Sequence, residues 1–241
     1  MFLVLQFRRF IKYLLFKLFN LSVAERLYQN IIWREILEQK KPNIVDSVFG
    51  SWDDNRIRYK LWNKISEYLD IKNEIIYMEF GVFKGESIKF FSKIFSFKNS
   101  KFYGFDSFYG LPEKWQRSFD QGAFSTDGKV PSLNDDRIVF IKGLFHDTLP
   151  NFLSNLGTDL KKKLFLIHFD ADLYSSTLFT LFKMHDYKND FYFLFDQFGS
   201  DECRAFYNFT KATGIKYELY FVTNWNYGPQ VVFGKIKEKT S

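Results

Sequence analysis

The 241 residues, 46% of them hydrophobic, suffice for one α/β domain with a full core plus an accessory helical segment, and leave no room for a second independent domain. A single cysteine, Cys203, excludes an intramolecular disulfide and a cysteine-based metal site, and makes a reducing cytoplasm the default compartment. The formal net charge of +6 allows attraction to anionic partners, but the lysines are spread thinly and form no focused basic stripe, so nucleic acid is not an expected partner.

The chain opens on Leu3, Phe7, Phe10, Ile11, Leu14, Leu18 and Leu21 at helical spacing, with Gln6, Arg8, Arg9, Lys12, Lys17 and Asn20 on the opposite half. Residues 1–22 therefore read as a basic amphipathic helix. Its charges interrupt the apolar run well short of the roughly 18 to 20 residues a membrane span needs, and the charged, apolar and small-residue order of a cleaved signal peptide is missing. Two readings remain for 2–21: a peripheral contact with the inner face of a membrane, or packing on the body or on a second copy in a homo-oligomer.

Helical patterns at about 23–38 and 53–69 make 23–72 a helical accessory segment. From 73 to 241 strands and helices alternate: strand 74–80, helix 86–95, strand 101–105, a long loop 106–135, strand 137–142, helix 148–156, strand 164–170, helix 175–185, strand 191–195, helix 202–213, and strands 216–222 and 230–235. Such alternation, ending in two adjacent strands, implies a mostly parallel sheet with a terminal hairpin. Ser175, Ser176 and Thr177 read as a helix cap. The insertion 107–135 is long for a compact domain and is expected to be a lid, with Trp115, Phe119 and Phe124 closing over substrate.

The first functional constellation is Glu79-Phe80-Gly81-Val82-Phe83-Lys84-Gly85-Glu86-Ser87, followed by Gly104-Phe105-Asp106-Ser107. An acid at a strand end precedes two glycines that allow a tight turn before Ser87 opens a helix. A second strand delivers Asp106 to the same edge, about 20 residues beyond the turn, where an acid typically holds ribose hydroxyls. The third glycine of a dinucleotide fingerprint and the Gly-Lys-Ser/Thr of a phosphate loop are both missing. Glu86 is a poor neighbour for a pyrophosphate but a good one for the cationic end of S-adenosylmethionine.

The second constellation gathers acids. Strand 164–170 ends in Asp170-Ala171-Asp172, and strand 191–195 ends in Asp196-Gln197, so three carboxylates and an amide come to one edge. Oxygen ligands of this kind suit a hard cation such as Mg²⁺. His168 shares a strand face with Asp170 and is a candidate general base. His146, after strand 137–142, is a comparable one.

These residues resemble a known family. Glu79-x-Gly81-x-x-x-Gly85-x-Ser87, Gly104-Phe105-Asp106-Ser107-Phe108-x-Gly110-Leu111-Pro112-Glu113, Gly122-Ala123-Phe124-Ser125, Gly143-x-Phe145-x-Asp147-Thr148-Leu149-Pro150 and Asp170-x-Asp172-Leu173-Tyr174-x-Ser176-Thr177 look, in that order, like the macrocin O-methyltransferases, class I S-adenosylmethionine-dependent enzymes. The resemblance implies a Rossmann-like α/β sheet of seven strands, mostly parallel with a terminal antiparallel hairpin. It also implies Mg²⁺-assisted methyl transfer to a hydroxyl, commonly of a sugar in a small molecule or glycan. Carried over by position, Glu79, Gly81, Phe83, Gly85, Ser87, Asp106, Ser107 and Gly143 form the cofactor site, with Glu79 and Gly81 at the methionine end, Ser87 near its carboxylate and Asp106 on the ribose. Asp170, Asp196 and Gln197 fall at the metal ligands, and Asp170, Asp172, His168 and His146 are the catalytic candidates. Gln197 departs from the Asp-Asp pair of that family and lowers the charge of the site by one unit. Two other readings are a nucleotide-sugar or dinucleotide-dependent enzyme on a similar sheet, and a non-catalytic module held at a membrane by helix 2–21.

Overall fold

The computed structural model of the chain describes residues 21–48, 55–115, 119–199, 201–225 and 228–237. All of the expected helix 2–21 except Leu21 lies outside the described residues. Its helices are α1 (Leu21–Lys40), α2 (Asn55–Leu69), α3 (Glu86–Ile94), α4 (Phe145–Asn155), α5 (Tyr174–Tyr187) and α6 (Asp201–Thr213). Its strands are β1 (Asn43–Val48), β2 (Ile75–Phe80), β3 (Lys101–Asp106), β4 (Ile138–Lys142), β5 (Leu164–Phe169), β6 (Phe191–Phe195), β7 (Lys216–Trp225) and β8 (Gly228–Lys237). They form one sheet in the order β1-β7-β8-β6-β5-β2-β3-β4. Strand β8 runs antiparallel to β6 and β7, and the other pairings are parallel.

Alternation along each strand sorts side chains between two helical layers. From β2, Ile76, Met78 and Phe80 face a core shared with Ile32 of α1, Leu149 of α4, Leu181 of α5 and Phe206 of α6. Ile75 and Tyr77 face the other way, against Leu61, Trp62 and Ile65 of α2 and Phe91 of α3. All six residues of β2 are buried, as expected for an interior parallel strand covered on both faces. Helix α2 presents Ile57, Leu61, Trp62, Ile65 and Leu69 as one buried stripe, and each such side chain contributes about 1.5–3 kcal/mol of transfer free energy before ordering costs.

The same alternation positions the polar residues. Leu166 and Leu194 belong to the layer under α2 and α3, so Glu79, His168, Asp170 and Asp196, each an even number of residues further along its strand, start on that side. The chain leaves β2 outward to β3 and β4 and then returns to β5 and β6 on the other flank, so strand order switches between β2 and β5. A crevice forms outside the carboxyl ends of strands at such a point.

Several boundaries differ from the sequence expectation. Asn43–Val48, inside the segment read as helical, is a strand that pairs parallel with β7 and makes the sheet eight-stranded. Helix α4 starts one turn early, at Phe145, with the Asp147 and Thr148 amides donating to the Leu144 carbonyl, and it keeps Pro150 inside. Helix α5 starts at Tyr174 behind Leu173, with no side-chain cap. Ser175, Ser176 and Thr177 therefore do not cap it: they lie within its first turn, where the Ser175 hydroxyl donates to Glu113 Oε1 at 2.5 Å. The 107–135 insertion is tied down by turns, with the Leu111 amide donating to Ala123 and the Thr126 and Gly128 amides to Phe108. Its Trp115 is buried against Leu111 and Leu173, next to Asp172. No helix among the described residues is long and apolar enough to cross a membrane.

Candidate active site

Asp106, the last residue of β3, gathers the cofactor turn. Its Oδ2 accepts the Val82 and Phe83 amides at 2.8 and 2.9 Å, and its Oδ1 accepts the Phe108 amide at 2.7 Å. Its carbonyl accepts the Gly143 amide, while the Gly81 amide donates to the Phe105 carbonyl beside it, both at 3.0 Å. The turns after β2, β3 and β4 are thus fastened to one strand end. Gly81 at φ 96° and Gly85 at φ 76° occupy backbone conformations that favour glycine, and Gly85 stands at the N-terminus of α3. Phe83 also has a positive φ, and its half-exposed ring meets Phe124 edge-on at 6.2 Å. The Ser107 hydroxyl is committed within its own turn, donating to the Gly110 carbonyl and accepting the Tyr109 amide.

Glu79 lies inside β2 and is fully buried. The Tyr77 hydroxyl donates to Glu79 Oε2 at 2.5 Å and lies 2.7 Å from Nδ1 of His168, the residue in register with Glu79 on β5. Burial, then the charge of Glu79, hold the Tyr77 phenol well above its ordinary pKa, while Ser87, buried at the start of α3, opposes them. Burial alone would lower the pKa of His168; the Glu79 hydrogen bond and charge, then Asp170 and Asp196, outweigh it and raise the value. His168 is thus an enclosed group that fixes its neighbours, with no exposed face for a substrate.

Asp170, Asp172 and Asp196 do come together. The Asp170 amide donates to the Phe80 carbonyl at 2.9 Å and the Asp196 amide to the Phe169 carbonyl at 3.2 Å, which sets the three strand ends side by side. Burial, then Asp196, push the Asp170 carboxyl well above the carboxylate range. Burial, then Asp196, carry Asp172 up to about 7, with Arg58 opposing. Asp172 is buried and holds a φ of 61°, uncommon for a residue with a side chain and of the kind that collects at functional sites. His146 stands apart: it is exposed on α4, its Nε2 3.3 Å from Asp147.

Two members of this cluster escape the sequence reading. Arg58, one residue beyond Ile57 on α2, places Nη2 2.8 Å from Asp196 Oδ2. Glu202, in the first turn of α6, is fully buried and accepts the Gln197 amide at 3.2 Å. Burial, then Asp170 and Asp172, raise its pKa well above the ordinary value. Its place next to Asp201 in a first turn was readable only as an acid favouring a helix N-terminus; Arg58 carried no local signal.

The residues expected to hold Mg²⁺ do not fit that ion as they stand. The Asp196 carboxylate has the Arg58 guanidinium 2.8 Å from its Oδ2, a fixed positive charge where a dication would need an open carboxylate. Among the described residues no group of three or more His, Cys, Asp or Glu side chains could hold a metal ion.

The profile of the macrocin O-methyltransferase (TylF) family matches residues 69–227. No curated protein matches the chain closely enough to count as a relative. Among solved structures, the O-methyltransferase from Bacillus cereus in complex with SAH is 12% identical with a TM-score of 0.52, over 91% of this chain and 92% of that one. The SAH-bound methyltransferase PaMTH1 of Podospora anserina is 15% identical with a TM-score of 0.50, over 92% and 97% of the two chains. The O-methyltransferase NovP is 20% identical over 70% and 74%, with a TM-score of 0.49. The first two share the fold.

Proposed function

Because this chain belongs to the macrocin O-methyltransferase family, and is thus an S-adenosylmethionine-dependent O-methyltransferase, we propose that the crevice between Asp106 and Asp172 aligns the cofactor with a sugar hydroxyl. The observation that carries this reading is the hub at Asp106, whose carboxylate and main-chain carbonyl together hold the turns after three adjacent strands, beside the acids at the ends of β5 and β6. The acceptor oxygen attacks the sulfonium methyl in line, the S–C bond breaks with its electron pair left on sulfur, and S-adenosylhomocysteine departs. Alignment of this kind can supply roughly 7 to 11 kcal/mol of the barrier.

The hydroxyl proton passes to Asp172, whose pKa, raised to about 7, suits proton transfer near neutral pH. Glu79, held by Tyr77 and His168, faces the methionine end, Ser87 its carboxylate, and Asp106 the ribose. Phe83 and Phe124 offer ring faces at the mouth of the crevice, which suit a glycan or small-molecule acceptor. Mg²⁺ enters no step, since Arg58 stands among the carboxylates that would hold it. We place the reaction in the cytoplasm and propose that 2–21 contacts the inner membrane face or a second copy.

The test is calorimetric titration with S-adenosylmethionine and with NAD, followed by labelled-methyl transfer onto nucleotide sugars and glycans, with and without Mg²⁺. Binding of S-adenosylmethionine and label on a sugar oxygen are expected. Binding of NAD alone would favour a dinucleotide enzyme, and cofactor binding without transfer to any acceptor would favour a non-catalytic module.

A further inference from the structure

We propose that Arg58 is the resident cation of this site, a guanidinium built into α2 where a divalent metal would otherwise neutralise the acids at the ends of β5 and β6, so that methyl transfer proceeds without metal. The proposal rests on the methyl-transfer reading above.

Asp196 is 1% exposed, and a carboxylate so enclosed needs either hydrogen bonds or a positive charge. Neither of its side-chain oxygens has an aligned hydrogen bond. Its partners are charges: Arg58 Nη2 at 2.8 Å from Oδ2, and His168 Nε2 at 4.0 Å from Oδ1. An arginine in this setting stays protonated and supplies a planar fork of donors. One donor meets Asp196, and the side chain keeps 25% of its surface open.

Gln197 fits the same picture. A dication repays the desolvation of several carboxylates, whereas a guanidinium carries one charge, and an amide in place of an acid lowers the negative charge of the strand end to match. Arg58 takes no proton in the reaction; it offsets negative charge on the acceptor oxygen while the proton goes to Asp172.

The experiment titrates full-length protein with Mn²⁺ and follows free ion by electron paramagnetic resonance, for wild type, Arg58→Gln and Arg58→Lys, with unfolding midpoints recorded for each. Wild type and Arg58→Lys are expected to leave millimolar Mn²⁺ free. Folded Arg58→Gln is expected to bind one ion per chain. Stoichiometric Mn²⁺ binding by wild type overturns the proposal, as does a folded Arg58→Gln that binds none. If Arg58→Gln does not fold, Arg58→Met, which also removes the charge, takes its place in the titration with the same two outcomes. Calorimetry with S-adenosylmethionine runs in parallel: loss of cofactor binding in wild type would remove the methyl-transfer reading without altering what the Mn²⁺ titration says of Arg58.

Discussion

Gly81 lies so close to Asp170 that a Cβ on the glycine would stand 1.9 Å from the Asp170 carbonyl oxygen. The turn expected to cradle the cofactor and the loop that carries the acids are in van der Waals contact through this glycine, so their spacing is set by backbone against backbone. Gly81→Ala must therefore push β5 away from β2 while holding a φ of 96°. The expected cost is about 1–3 kcal/mol from overpacking alone, read as a lower denaturation midpoint. Gly157→Ala, where nothing lies within 4 Å of the added carbon, is the control and should change stability little. Equal midpoints for the two variants would mean that the strand ends are not packed as described.

Asp106→Ala removes the acceptor for the Val82, Phe83 and Phe108 amides together with the proposed ribose contact. S-adenosylmethionine affinity should fall by on the order of 1.5–3 kcal/mol, the range for hydrogen bonds to a charged group. Asp106→Asn keeps one acceptor oxygen but sets an NH2 against a backbone amide, since both carboxylate oxygens accept main-chain N–H groups, so its unfolding midpoint should also fall. If the ribose is held here, both variants should bind the cofactor weakly in calorimetry run well below their unfolding midpoints. A drop in midpoint with unchanged affinity would leave Asp106 as a clamp on the turn alone.

Much of this arrangement was legible because it follows strand periodicity. Glu79, Asp106, Asp170 and Asp196 all fall at or near the ends of apolar runs, and parallel strands bring such ends to one edge whatever the details of packing. Arg58 was not legible, since its depth depends on how Ile57, Leu61 and Trp62 seat α2 on the sheet, a tertiary fact with no local pattern. Strand β1 was missed for a related reason: it is an edge strand with Ile44 exposed, and it takes its conformation from pairing with β7. Base candidates could be named from the sequence but not ranked, because enclosure of His168 and exposure of His146 are properties of the folded chain.

Tyr77→Phe tests the network under the proposed methionine end. The substitution keeps the ring against Phe91 but takes away the proton given to Glu79 Oε2 and the contact with His168 Nδ1. Glu79 Oε1 is already without a partner, so the buried carboxylate would be left with His168 alone, 3.5 Å from Oε2. A loss of about 1–3 kcal/mol is expected for such an uncompensated group. Chemical denaturation measures it, and a variant as stable as wild type would show that water or a rearranged His168 replaces the phenol.

The start of β4 carries a pH dependence of its own. Arg137 donates to both oxygens of Asp135 and to the carbonyls of Ser92, Phe95 and Phe97, and so ties the C-terminal end of α3 to the strand. The Arg137 side-chain hydrogen bond holds the Asp135 carboxyl below its ordinary value, against the opposing effect of burial. A carboxyl whose folded pKa is depressed adds stability above its unfolded pKa, about 3.9, and loses it as pH falls through the lower folded value. Asp135→Asn should therefore be less stable than wild type by about 1 kcal/mol near neutral pH, a modest figure because the pair keeps contact with water. The gap should close as pH drops below about 4, where wild type also loses the charge. Unfolding midpoints of the two proteins across that range measure it, and a gap that stays constant to low pH would show that the carboxylate charge contributes nothing to holding Arg137 against α3.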